Sequence, residues 1–156
     1  MKLLTSLCLI AAVLMATVGN TYAQTNRSFW IHALTNEGKK SKEAAAAILF
    51  GEQSVQIKSN KAGVLDKTFV YSEIKAVEYS YSKKPLLSTG GAVAMAILTG
   101  LVVVPFLLVK KKQHWLTVRD DKDYVVMRLD KKNYRQIQSE FEVKNIKVET
   151  ISEDKK

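Results

Sequence analysis

Cysteine is nearly absent from this sequence, with Cys8 the single example in 156 residues. Cys8 sits in an N-terminal apolar run that reads as removable, so the chain expected to remain carries no thiol. Thiol catalysis, redox chemistry and cysteine-based zinc sites are excluded for that chain. Histidine is almost as scarce, and neither His32 nor His114 has a partner at the i+4 spacing that would put two imidazoles on one helix face. No metal and no cofactor is expected. Glycine is sparse too: Gly90-Gly91 opens an apolar run with no Lys-Ser/Thr pair behind it, so there is no phosphate-cradling loop, and no G-x-S-x-G elbow occurs. The two prolines, Pro85 and Pro105, both belong to one uncharged stretch in mid-chain.

The opening "MKLLTSLCLIAAVLMATVGNTYAQ" has one early cation, Lys2, then an apolar run from Leu3 to Val18 and small residues at Thr21 and Ala23. This pattern predicts a secretory signal peptide over 1–23, cut after Ala23, with an uncleaved anchor as the alternative. Leu7 and Thr5 precede Cys8 where a lipoprotein signal needs a small and an aliphatic residue, so lipidation is not expected. The formal charge of +9 divides as +1 in the signal, +4 from Gln24 to Pro85 and +4 from Leu86 onward. So even a spread suits anionic lipid headgroups better than a nucleic-acid groove, although most single lysines read as solvated surface. Export argues the same way, and no nucleic-acid partner is expected.

Residues 24–44 show no sustained periodicity and read as a polar lead-in, with a short helical turn around the alanines of "KEAAAA". From Ala45 the pattern becomes short alternating segments between turn residues, the mark of antiparallel strands. "AAILF", Gly51-Glu52 and "SVQIKS" predict a hairpin; "NKAG" reads as a turn; "VEYSYS" alternates within the next extended stretch. "QHWLTVRD", the turn Asp120 to Asp123 and "YVVMRL" predict a second hairpin. Asp130 is then placed to cap a helix in which Tyr134, Ile137 and Phe141 fall on one stripe, with "NIKVETI" as a last extended piece. The expected fold class is mainly β with a C-terminal helix, an α+β domain over 45–150, and 151–156 as a disordered tail.

An apolar insert over 88–109 divides that domain. Between Lys84 and Lys110 there are 25 residues without a charged side chain. About 20 helical residues cross a hydrocarbon core of about 30 Å, so length permits one span. A straight span would strand the two halves of the β domain on opposite sides of the bilayer, where neither has enough strands for its own core. Gly90-Gly91, Gly100 and Pro105 allow a re-entrant hairpin instead, with limbs of roughly ten residues and about 15 Å each. The sequence leaves span and hairpin open, as well as a third possibility in which the insert packs inside protein. The membrane readings predict a lipid-interface set of Lys83, Lys84, Lys110, Lys111, Lys112, His114 and Trp115, whose long or amphipathic side chains can sit at headgroup level. Both flanks are basic, and the positive-inside rule favours the Lys110 side only weakly as the cytoplasmic one.

Two segments carry a family resemblance. "FVYSEIKAVEYSYS" resembles the middle strands of bacterial pleckstrin-homology-like and GRAM-like domains, and "KKKQHWLTVRDDKDYVVMRLDKKNYRQIQSEFE" is similar to their closing hairpin and final helix. The arrangement also resembles exported bacterial proteins with such an insert. The resemblance spans roughly Ile48 to Val148 and implies a strongly bent, split-barrel antiparallel sheet plugged by the helix, used for binding lipids or proteins rather than for catalysis. Phosphoinositide-binding members carry a basic motif ending in arginine in the first hairpin; Lys58, Lys61 and Lys67 occupy that region here without an arginine, so inositide specificity is not implied.

The functional expectation is an exported, membrane-associated, non-catalytic binding or scaffold module of the cell envelope, on the periplasmic or extracytoplasmic side. Its partners would be membrane lipid, anionic headgroups included, or an envelope protein. The alternatives are a structural subunit whose insert packs in a partner protein, and an enzyme with dispersed acid/base residues for which Glu73, Glu78 and His114 are the candidates. Asp120, Asp121 and Asp123 lack the glycine and terminal glutamate of a calcium loop and read as a solvated turn.

Overall fold

The computed structural model describes residues 27–37, 40–61, 63–86 and 111–152, with backbone alone at 36, 37 and 40–42. The expected signal peptide at 1–23, the insert at 88–109 with Lys110, and the end of the tail from 153 lie outside the described residues.

Eight strands form one sheet among the described residues: β1 Arg27–Glu37, β2 Lys40–Phe50, β3 Ser54–Ser59, β4 Asp66–Val70, β5 Ala76–Ser82, β6 Gln113–Arg119, β7 Tyr124–Leu129 and β8 Val148–Ile151. Their order across the sheet is β4-β3-β2-β1-β7-β6-β5-β8. All neighbours are antiparallel except β5 and β8, which run parallel. One helix, α1 at Tyr134–Val143, crosses between β7 and β8. Among the described residues the fold class is therefore mainly β with a helix near the C-terminus.

The polar lead-in expected over 24–44 is replaced by β1 and the first half of β2. β1 pairs with β2 along its whole length and with β7 on its other side, from Ile31↔Leu129 to Ala33↔Met127. Alternation is hidden in β1 because both faces carry bulky apolar groups: Ile31 and Ala33 face the core, while Trp30 and Leu34 point the other way. The alanines of β2 have high intrinsic helix propensity, yet Ala46 is fully buried under the core, and pairing overrides propensity.

One cluster gathers the inner faces of β1 to β7 around α1, from Phe69 near the β4 edge through Ile48 and Ile31 to Leu116 and Val77. A sheet that brings residues from so many strands into one cluster must curl around it. Helix α1 closes the curl with Ile137 and Phe141, both buried, and Phe141 meets the Phe50 ring edge-on at 5.0 Å. Burying such a side chain contributes about 1.5–3 kcal/mol. The helix starts differently from the expectation at Asp130. It is the Asp130 carbonyl, not its carboxylate, that accepts the Asn133 and Tyr134 amides at 3.1 Å. The Asn133 side chain instead donates to the Trp30 carbonyl at 2.8 Å and ties the helix start to β1. At the other end Asn145 adopts φ 60°, and the Ile146 amide returns to the Phe141 carbonyl at 3.0 Å. Asparagine tolerates that left-handed position, which lets the chain reverse into β8.

Strand β5 pairs along its whole length with β6. The pairing runs from Ala76↔Arg119 to Ser82↔Gln113, so the chain leaves the sheet at Ser82 and re-enters beside that residue at Gln113. The two strands expected to flank the insert are neighbours in one domain.

Candidate functional site: the sheet end flanking the apolar segment

Because β5 ends where β6 begins, sequence on either side of the apolar segment is gathered at one end of the sheet. Lys83, Lys84, Lys111 and Lys112 are all exposed there. Lys110, the remaining cation of the expected interface set, lies outside the described residues.

His114 is half-buried one position inside β6. Its ring is stacked on Tyr134 of α1 at 3.9 Å between centroids and tilted against Tyr81 of β5 at 4.8 Å. The Tyr79 hydroxyl lies 2.6 Å from its Nδ1. Burial first, and the Lys131 charge second, lower the His114 pKa, so the imidazole is neutral near pH 7. Burial above all, then the neighbouring Tyr134 and Tyr81 phenols, push Tyr79 up to about 12, with Arg135 pulling the other way. Tyr79 therefore keeps its proton, and its hydroxyl shares one hydrogen bond with Nδ1 whose direction follows the His114 tautomer. The arrangement holds a neutral histidine rigidly between two strands and a helix.

Trp115 occupies a different environment from the one expected at a lipid interface. It points to the outer face of the sheet, between Ser80 and Arg128 in the pairing, and is 1% exposed. Its indole N–H donates to the Ser82 carbonyl at 3.2 Å. The segment Lys83–Leu86 folds back over this face: the Ser82 hydroxyl donates to the Lys84 carbonyl, the Leu86 amide donates to the Ser80 hydroxyl at 3.3 Å, and Pro85 is buried. The serines of "SYS" thus fasten the departing chain, and Trp115 is an internal strut.

Glu73, Glu78 and His114 do not converge. Glu73 is exposed in the 3-10 turn Tyr71–Glu73, and Glu78 is buried on the outer face of β5 beside Arg119, 3.4 Å away. His114 is on the inner face of the same sheet. Asp120 accepts the Lys122 and Asp123 amides at 2.7 and 2.6 Å, Asp121 pairs with Lys75 at 3.2 Å, and Asp123 pairs with Lys67. Those carboxylates are committed to the turn and to neighbouring cations. Among the described residues no group of three or more His, Cys, Asp or Glu is placed to hold a metal ion. With β1 in place, Lys58, Lys61 and Lys67 belong to the third hairpin, and Lys58 and Lys67 face Asp66 and Asp123.

Sequence reasoning missed Trp30 as a member of this end. It is 63% exposed and lies one residue beyond the Ile31↔Leu129 pair, so it flanks the same edge as Gln113 and Ser82. Only long-range pairing places it there; in the sequence it stands in a stretch without alternation.

Comparison with protein-family models gives no match, and comparison with curated protein sequences gives none either. Among the described residues no helix is long and apolar enough to cross a membrane.

Proposed function

We propose that this chain is an exported, membrane-associated, non-catalytic binding module of the cell envelope, a pleckstrin-homology-like β domain fastened to the bilayer by its apolar insert. One observation carries the reading: Ser82 and Gln113 are directly paired, so an insert that enters lipid must leave and return on the same face of the membrane. An odd number of crossings would tear β5 from β6. The 24 residues from 87 to 110 suffice for two helical limbs of about 15 Å, which enter a core of about 30 Å without spanning it. This favours the re-entrant hairpin over the single span, and it keeps the whole β domain on the exported side. The bent sheet with its helix plug is compatible with the proposed superfold, whose usual role is binding. The separation of Glu78 and His114 onto opposite faces supports a module without acid/base catalysis.

Fractionation tests this directly. The mature chain is expected to sediment with envelope membranes and to resist carbonate and high salt. Release by either treatment would remove the lipid anchor. A second reading has one observation behind it: Lys83–Leu86 turns back over the outer face of β5 instead of pointing away from the domain. In that reading the insert packs on protein, and carbonate releases it with a partner subunit.

A further inference from the structure

The strand pairings place more at the insert end than the two lysine pairs. Continuing each row by one residue sets Trp30 beside Asp130, Asp130 beside Gln113 and Gln113 beside Ser82. Helix α1 begins at the same place, tied there by the Asn133 bond to Trp30 and by Tyr134 stacked on His114. Exposed Lys131 and Lys132 therefore join exposed Lys83, Lys84, Lys111 and Lys112, drawn from three separate stretches of chain. Lys131 is near enough for its charge to act on His114. Asp130 is the one exposed acid in these stretches. The exposed large aromatics are here too: Trp30 at 63% on the outer face of the sheet and Tyr81 at 54% on the inner. They bracket the sheet edge from both sides.

From this juxtaposition we infer that the whole sheet end is a recognition surface for anionic lipid headgroups. The cations supply charge selectivity, and Trp30 and Tyr81 are the interfacial aromatic anchors. The inference rests on the proposed membrane role and adds to it which lipids are chosen and which residues choose them. Three arguments select an anionic bilayer as the occupant. The exposed cations come from three separate stretches of chain spread along one sheet end, so they match a surface of many negative headgroups better than one small anion. Tryptophan and tyrosine exposed beside lysines are the side-chain types that settle at headgroup level, with an apolar body and a polar edge. The surface is continuous with both points at which the apolar segment leaves and rejoins the domain, so an insert in lipid brings this edge against the headgroups.

The test uses the full mature chain with two vesicle populations in one tube, neutral phosphatidylcholine and phosphatidylcholine containing phosphatidylglycerol, separable by density. At low salt the wild type should collect on the anionic vesicles. Replacing Lys131 and Lys132 together by Gln should reduce that preference by about five-fold per charge, roughly 25-fold in all. Brominated lipid should quench the fluorescence of Trp30, and Trp30→Phe should abolish most of the quenching because Trp115 is buried. Circular dichroism confirms that each variant keeps its β fold. A chain that binds both populations equally, or whose anionic preference survives in the Lys131→Gln/Lys132→Gln variant with Trp30 unquenched, overturns this inference while leaving the insert as anchor. A chain that binds neither population overturns both.

Discussion

The two ends of this sheet treat charge in opposite ways. At the β6–β7 turn the carboxylates of Asp120, Asp121 and Asp123 are matched by backbone amides, Lys75 and Lys67, and Lys67 also donates to the Tyr124 carbonyl at 2.8 Å. That end is finished within the chain, and Lys67 draws strand β4 toward the turn. At the other end Lys83, Lys84, Lys111, Lys131 and Lys132 form no ion pair among the described residues. Like charges held together repel, so these cations do little for folding and gain only when something negative approaches them. The contrast separates residues that hold the fold from residues that face outward, and it does so more sharply than charge counting along the chain.

Substitutions that cross this division should have unequal effects. The largest concerns the two tryptophans. Trp115→Ala should lower unfolding free energy in urea by about 3–5 kcal/mol, because it removes a buried ring and a buried hydrogen bond. Trp30→Ala at the exposed edge should cost little, about 0.5 kcal/mol, with its consequence in vesicle binding. Next is the internal ion pair of the outer face. Glu78→Gln removes a buried carboxylate charge that faces Arg119 and should cost about 3 kcal/mol by the same measurement. Asp121→Asn, which breaks an exposed pair with Lys75, should cost less than about 1 kcal/mol.

A smaller effect follows from His114. Its folded pKa lies below its ordinary value, so the unfolded chain binds more protons than the folded one between the two values. Stability is therefore fully present above about pH 6.5 and declines as pH falls from there toward the folded pKa. Lys131 acts on the ring from the helix side and Tyr79, Tyr81 and Tyr134 surround it, and among the described residues no carboxylate offsets the effect of burial on its charge. Denaturant midpoints measured between pH 5 and 7.5 should show this slope in the wild type and a flatter one in His114→Gln.

Much of the fold is legible in the sequence where one physical signal dominates. The β2–β3 and β6–β7 hairpins announce themselves by alternation around Gly51 and Asp120-Asp123, and the α1 stripe of Ile137 and Phe141 is buried as its spacing requires. Strand β1 is illegible because Trp30 and Leu34 fill the face opposite Ile31 and Ala33, leaving no period of two. The alanines of β2 mislead in the other direction, since their local preference is helical. The site divides in the same manner. Lysines next to the apolar stretch are visible by adjacency, but adjacency misplaces Trp115, whose ring the strand pleat turns under Lys83–Leu86. Trp30, Lys131 and Lys132 reach the same edge only through pairings across the sheet.

The central claim is that the apolar segment leaves and rejoins the β domain on one side of the membrane. Single cysteines at Lys84 and Lys112, both exposed and on either side of the segment, test it in a mature chain expected to carry no other thiol. Each variant is treated in intact cells with a thiol reagent that cannot cross the cytoplasmic membrane. The account predicts equal labelling of Lys84→Cys and Lys112→Cys from the exported side. Labelling at one position alone, with the other reached only after the membrane is opened, would contradict it.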